Sequence, residues 1–450
     1  MLTAVVAGRI VGAVRARLAD GTGQVGRLIV DPAAQGRGRE EGPAGGFASA
    51  ENDSQQSAFP TRCVAMSLSW ILPALRVSTL LCAAVPAVIL APTPTRAAVA
   101  STPAMTASAT VVSPRDPRIQ YMGRLAFAGD AEAKFGFPGV IIRFAYRGPA
   151  PTVLLGAGSA FCAFNLSVNG WDPVVIRLPE GRSELPLPSG PAPAGGWVVE
   201  LTRRNENWQG IASFFGLTLP PGGELVAPPA LPARKLVFVG DSITCGEAID
   251  RFPPELDSTP RMADAPRSYG MLLARQLKAQ VHLVSCGGRG VMRTWDGKTD
   301  DVTAPQFFQR ALPDDPAAKW DHASYQPDAI VIALGQNDLS TGFIDEQVFT
   351  AAFANFLADI RKVHPKAAVL FTESPMRSED PATPDGKKRE FQRRCLRTVF
   401  EAARAAGDKR VAFAPLHQYP GTPTNAHPVA FQHEQMAQEL IGPLRKLTGW

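Results

Sequence analysis

The chain has 450 residues, room for two or three domains, and its ordinary apolar content permits a sizeable core. Its formal charge of +5 is unevenly spread: residues 1–100 hold nine arginines, no lysine and six acids, leaving 37 basic and 35 acidic residues from Ser101 onward, a net of +2. A near-neutral body without an aromatic-and-basic stripe argues against a nucleic-acid partner.

In chain order, the first distinctive stretch is "VGRLIVDPAAQGRGRE". It resembles the pyrophosphate-binding strand and loop of GNAT acetyltransferases at Gln35, Gly36, Arg37 and Gly38. In that family the loop's N–H groups hold coenzyme A phosphates at a helix N-terminus. Here the next stretch is "EGPAGGFASAENDSQQS", which reads as disordered. The match is too short for an acetyltransferase core, so residues 1–65 are expected to be unstructured or spurious upstream sequence.

Residues 66–100 have the order of a secretory signal peptide: Arg76, an apolar stretch from Val77 to Leu90, then Ala98-Val99-Ala100. Pro86 breaks the apolar stretch, which is short for a membrane span. The mature protein is expected to begin near Ser101, to be secreted or periplasmic, and to have no membrane partner. Residues 101–116, rich in Ala, Ser, Thr and Pro, read as a linker. From 117 to 225, short apolar runs such as "GVIIRFAYRG", "PTVLLGAG" and "GWVVELTRR" alternate with Gly and Pro turns, the pattern of an all-β sandwich. A Pro-rich linker covers 226–234.

From 235 to 450 the pattern alternates. Strand-like "KLVFVG", "QVHLVS", "DAIVIALG", "AAVLFTES" and "RVAFAPL" are separated by helical patterns, including 346–363 and 389–407, and a last helix spans about 429–447. The expected fold class is therefore α/β, a five-stranded parallel sheet with helices on both faces, preceded by the sandwich. In such sheets ligands bind beyond the carboxyl ends of the strands.

The residues just past the strand ends carry chemistry. The first strand ends in Gly240-Asp241-Ser242, the second in "SCGGRGVM" with Gly288, the third in Gly335-Gln336-Asn337-Asp338, and the last leads to His427 before Pro428. A hydroxyl nucleophile, a bare backbone N–H, an amide donor and a base on one rim are the parts needed for acyl transfer. Asp241 and Asp338 read as loop-holding or helix-capping acids. Cys162, Cys245, Cys286 and Cys395 fit no zinc pattern, so neither a metal nor a cofactor is expected. Disulfide pairing stays open beside simple packing.

The blocks "GDSIT", "GGRG", "GQND" and "HP" resemble the SGNH, or GDSL-like, hydrolases. That resemblance implies a flavodoxin-like sheet, Ser242 as nucleophile, His427 as base, and the Ser242 N–H, Gly288 N–H and Asn337 side chain as oxyanion donors. "IQYMGRL", "LTRRNENWQG", "GDSITCGEA" and "HPVAFQHEQMAQEL" extend it to carbohydrate esterase family 2, over about residues 117–450. It implies a jelly-roll-like first domain and removal of O-acetyl groups from polysaccharides such as xylan or glucomannan. Many SGNH enzymes carry Asp three residues before the histidine; this chain has Thr424 there, and no acid between Leu416 and His427. Some family members resemble it, using a Ser–His dyad with a backbone carbonyl on the imidazole, and that arrangement is expected here. Trp295, in the polar loop "RGVMRTWDGKTDD", is a candidate sugar-binding residue. The alternatives are a general esterase or lipase on small or lipid esters, and a carbohydrate-binding protein without catalysis.

Overall fold

The computed structural model describes residues 109–188, 192–250, 262–422 and 425–450, together with the backbone of four short strands near the start of the chain. Those strands, β1 (Leu2–Val6), β2 (Arg9–Val14), β3 (Ala16–Ala19) and β4 (Thr22–Val25), pair antiparallel as β1–β2 and β3–β4. They fall in the first of two units, Met1–Ala97, the second being Ala98–Trp450. The sequence reading expected no structure there; runs such as Arg9–Val14, with Ile and Val, favour extended backbone. The GNAT-like loop at 35–38, the signal peptide at 66–100 and the first part of the linker lie outside the described residues.

The second unit opens with twelve short strands. They are β5 (Thr110–Val112), β6 (Gln120–Met122), β7 (Ala126–Ala128), β8 (Glu132–Phe135), β9 (Ile141–Arg147), β10 (Thr152–Ala157), β11 (Ala163–Val168), β12 (Val174–Arg177), β13 (Gly181–Pro186), β14 (Trp197–Arg203), β15 (Ala212–Leu219) and β16 (Glu224–Val226). They form two six-stranded antiparallel sheets, one in the order β13-β10-β15-β8-β7 with β5 on β15, the other in the order β12-β11-β14-β9-β16 with β6 on β9. Alternating residues of the paired strands, Phe135, Phe144, Phe164, Leu201 and Phe214 among them, are buried in one shared core, as a sandwich requires. Strand β5 lies inside the stretch read as linker. Its Thr-Val-Val run favours extended backbone, and Val112 is buried there while the two residues before it are exposed.

The remaining strands, β17 (Arg234–Gly240), β18 (Ala279–Ser285), β19 (Ala329–Ala333), β20 (Ala368–Thr372) and β21 (Val411–Ala414), are all parallel, in the order β18-β17-β19-β20-β21. This is the flavodoxin-like order, whose switch point lies between the first strand and its neighbours. Besides α1 (Ser242–Cys245) and α3 (Ala304–Phe307), the helices are α2 (Tyr269–Gln276), α4 (Glu346–Val363), α5 (Pro384–Ala405) and α6 (Ala430–Thr448). Successive strand residues enter different cores. Leu236 and Phe238 pack with α2 and α6 residues such as Leu273 and Met436. Val237 and Val239 share a core with α4 and α5 residues such as Phe353 and Leu396. The sheet is thus covered on both faces, which is why its strands are apolar at nearly every position. Helix α5 begins five residues before the expected Arg389. Thr383 caps it by accepting the Gly386 N–H at 2.9 Å, and Pro384 sits where its missing N–H costs nothing.

Sandwich and parallel sheet are tied by buried arginines. Arg124 donates to the Phe308 and Arg310 carbonyls at 2.6 and 2.9 Å. Arg204 pairs with Asp264 at 3.2 Å and with Asp250. Among the described residues, no helix is long and apolar enough to cross a membrane.

Candidate active site

Strand β17 ends at Gly240, and the reason for a glycine is steric. A Cβ there would lie 2.0 Å from Thr244 Oγ1, so any larger residue would prevent the chain from folding directly into α1. Asp241 caps that turn, accepting the Ile243 N–H at 3.1 Å. Ser242 is then the first helical residue, 7 % exposed, at the carboxyl end of the sheet.

The other three loops meet it. Ser242 Oγ lies 2.8 Å from His427 Nε2, although 185 positions separate them. Gly288, in the loop after β18, has φ +73°, a left-handed conformation that glycine adopts readily; a Cβ there would also lie 2.7 Å from the Trp295 ring. Asn337, after β19, donates from Nδ2 to the Arg289 carbonyl at 3.1 Å and, weakly, to Asp241 at 3.4 Å. Ser242, Gly288, Trp295, Asn337 and His427 all line one cleft of about 580 Å³. Trp295 stands at its edge, 62 % exposed.

Asp338 holds the Gly288 loop in place, its carboxylate accepting N–H groups of Val291, Met292 and Arg293 at 2.9, 2.9 and 3.2 Å. Of the expected roles, helix-capping is what the hydrogen bonds give Asp241 and loop-holding what they give Asp338. Burial pushes the carboxyl of Asp241 up to about 7, with help from the nearby acids Asp338, Glu206 and Glu247. Among the described residues, Cys162, Cys245, Cys286 and Cys395 are free and buried, with no bridge between them. Among the described residues no cluster could hold a metal ion.

At His427 Nδ1 the structure shows a group the sequence did not suggest. Nδ1 lies 2.7 Å from the side-chain oxygen of Asn425, which also accepts the His427 N–H at 2.9 Å. The turn thus brings a side-chain amide oxygen, from two residues back, onto the ring. Thr424 lies outside the described residues. A carboxylate does approach the ring from the other side: Glu247 Oε2 is 3.6 Å from Nε2.

Family models match almost all of the second unit. Residues 121–229 match the carbohydrate esterase 2 N-terminal family, and residues 238–436 the GDSL-like lipase/acylhydrolase family. An acetylxylan esterase/glucomannan deacetylase of Cellvibrio japonicus is 36 % identical over 351 residues, covering 78 % of this chain and 94 % of that protein. The chain belongs to carbohydrate esterase family 2. A family two carbohydrate esterase structure from Cellvibrio japonicus superposes with a TM-score of 0.70 at 35 % identity, covering 76 % of this chain and 99 % of that one. One from Clostridium thermocellum in complex with cellohexaose gives 0.67 at 28 % identity, covering 74 % and 99 %. The protein is thus a carboxylic ester hydrolase on an SGNH sheet behind a β-sandwich.

The second wall of the esterase's cleft comes from the sandwich, and sequence reasoning missed it. The stretch 203–210 leaves β14 and carries Asn207 and Trp208 into the cleft lining. It is shaped around the buried Arg203 guanidinium, which donates to the carbonyls of Phe135, Asn205 and Glu206 at 2.9, 2.7 and 2.9 Å. Trp208 is 53 % exposed, a second open aromatic in the lining beside Trp295. The available signal was "LTRRNENWQG" itself, which sets Trp208 a few residues past the paired Arg203 and Arg204.

Proposed function

We propose that the esterase removes O-acetyl groups from polysaccharide such as xylan or glucomannan, with Ser242 as nucleophile and His427 as general base. The observation carrying this reading is the 2.8 Å contact between Ser242 Oγ and His427 Nε2 on a cleft with two exposed tryptophans. His427 Nε2 takes the Ser242 proton as Oγ bonds to the acetyl carbon. The Ser242 N–H, the Gly288 N–H and Asn337 Nδ2 then hold the oxyanion. Collapse breaks the bond to the sugar oxygen, which takes the proton from Nε2 and leaves as the free hydroxyl. Water, deprotonated by His427, attacks the acetyl-serine and releases acetate. Asn425 keeps the ring in position, its amide oxygen accepting from Nδ1 so that Nε2 is free to act as base.

The lining favours a sugar over a lipid chain. Arg289, Asp296, Lys298 and Asp301 all border the cleft, and aromatic faces among polar groups suit a pyranose ring better than an acyl chain. The Cellvibrio acetylxylan esterase/glucomannan deacetylase and the cellohexaose-bound Clostridium esterase support the same substrate class. Export through residues 66–100, giving mature protein from near Ser101, completes the reading. The test is acetate release from acetylated xylan, acetylated glucomannan and an aryl acetate by wild-type protein and Ser242→Ala. Release from a polymer by wild type alone is expected. Turnover of aryl acetate with neither polymer would refute the polysaccharide assignment.

A further inference from the structure

The loop carrying Gly288 is held from two sides. Asp338, of the same domain, holds its far end through Val291, Met292 and Arg293. Its near end is held from the sandwich. Glu206, 1 % exposed, accepts the Gly287 N–H on Oε2 at 2.5 Å, a bond across 81 positions of sequence. Gly287 matches this neighbour: a Cβ on it would lie 2.6 and 2.8 Å from the two Glu206 oxygens, so only glycine admits the carboxylate. Glu206 is itself fixed, its own N–H donated to Gln209 Oε1 at 3.3 Å and its carbonyl held by Arg203 at 2.9 Å. Trp208 and Cys245 also lie against its carboxyl. Burying a carboxylate is costly, and the sandwich core offers no reason for it: the carboxylate meets Gly287, in the lining of the cleft.

We propose that Glu206 is a positioning residue for ester hydrolysis, a side chain of the sandwich that fixes the Gly287 peptide and thereby aims the Gly288 N–H. The inference rests on the reading of that N–H as an oxyanion donor. The orientation of one N–H depends on the peptide before it, and oxyanion stabilisation is lost when a donor is turned away. A sandwich that only shielded the sheet would need no such contact.

The experiment measures kcat and KM on an aryl acetate, and inhibition by an aryl trifluoromethyl ketone, whose carbonyl carbon takes Ser242 Oγ to leave an oxyanion in the same place. Glu206→Ala should lower kcat roughly 10- to 100-fold, with KM within about two-fold and inhibitor affinity falling in parallel. Glu206→Gln, whose amide oxygen can still accept from Gly287, should recover most of both. Gly287→Ala, which pushes the carboxylate away while leaving Glu206 in place, should behave like Glu206→Ala and decides the matter should that variant fail to fold. Wild-type kcat and inhibitor affinity in folded Glu206→Ala or in Gly287→Ala would overturn the proposal. Ser242→Ala separates the two levels. Retained turnover there defeats the serine mechanism itself, whereas a dead Ser242→Ala beside wild-type Glu206→Ala and Gly287→Ala defeats only the role of Glu206.

Discussion

The two walls of the cleft are built on different terms. On the sheet side, Ser242, Gly288 and Asn337 sit within a few residues of strand ends, and Ser242 is held by the adjacent Asp241 cap. On the sandwich side, Glu206, Asn207 and Trp208 sit on a loop whose shape comes from the buried guanidinium of Arg203. Burial brings the Arg203 pKa down to about 10, so the guanidinium stays charged near neutral pH. In the proposed mechanism the first wall supplies the bond-making groups, and the second supplies surface for the substrate and a brace for the first. On that reading chemistry is concentrated at the sheet rim, while recognition is spread over an interface between domains.

If that division is right, damage to the sheet wall should act on turnover and damage to its supports should act less. Asn337→Ala should lower kcat by roughly 100- to 1000-fold with little change in melting temperature. A folded variant with wild-type kcat would reassign Asn337 to loop capping, since its Nδ2 already meets the Arg289 carbonyl.

A smaller loss is expected one step from the reacting atoms. Asn425→Ala removes the neutral acceptor from His427 Nδ1 and should cost about 10- to 100-fold in kcat, less than loss of a charged partner would. Asn425→Asp should instead place a carboxylate beside the imidazolium. That favours the protonated ring, so the acid limb of the pH–kcat/KM profile should move to higher pH. An unchanged profile in Asn425→Asp would mean that Asn425 does not govern the ring.

The smallest effect concerns the seam between the walls. Burial, then the nearby Glu247, pushes the Glu206 carboxyl up to about 7, and burial does the same for Asp241. Asp338, Glu206 and Glu247 face Asp241; Glu247, Cys245, Cys286 and Arg203 surround Glu206. Unfolded carboxyls ionise near about 4, so the folded state holds these protons more tightly. Their stabilising contribution is present below that pH and is lost as pH rises through about 7. Burial holds His433 and His364 down, to about 3 and about 4, which acts oppositely but only below their unfolded value of about 6.5. Glu439 holds His417 above its usual value, so its contribution is lost in the same direction; between about pH 6.5 and 8 the carboxyls and His417 act together, and melting temperature should fall. Glu206→Gln should flatten part of that slope; an identical slope in the variant would contradict the assignment.

Legibility in the sequence divides along the same line. The parallel strands and the residues at their ends could be read from the chain because each is a contiguous signal, an apolar run stopping at Gly240, Ser285 or Gly335. Helix α4 likewise spans the residues its periodicity marked. Asn425 was visible only as a missing acid, since no pattern says that a side chain two residues back will turn onto the ring. The brace at Glu206 was invisible because it joins positions 81 apart across two domains. Strand β5 hid in a linker-like composition, which three residues paired to β15 do not alter.

The central claim, that Ser242 is an activated nucleophile with His427 as its base, is tested most directly by covalent capture. The protein would be treated with diethyl 4-nitrophenyl phosphate, digested, and its peptides analysed by mass spectrometry. A single diethylphosphoryl group on Ser242, absent from His427→Ala under the same conditions, is the predicted result. Inactivation with the adduct on another residue, or equal labelling of Ser242 in His427→Ala, would contradict it.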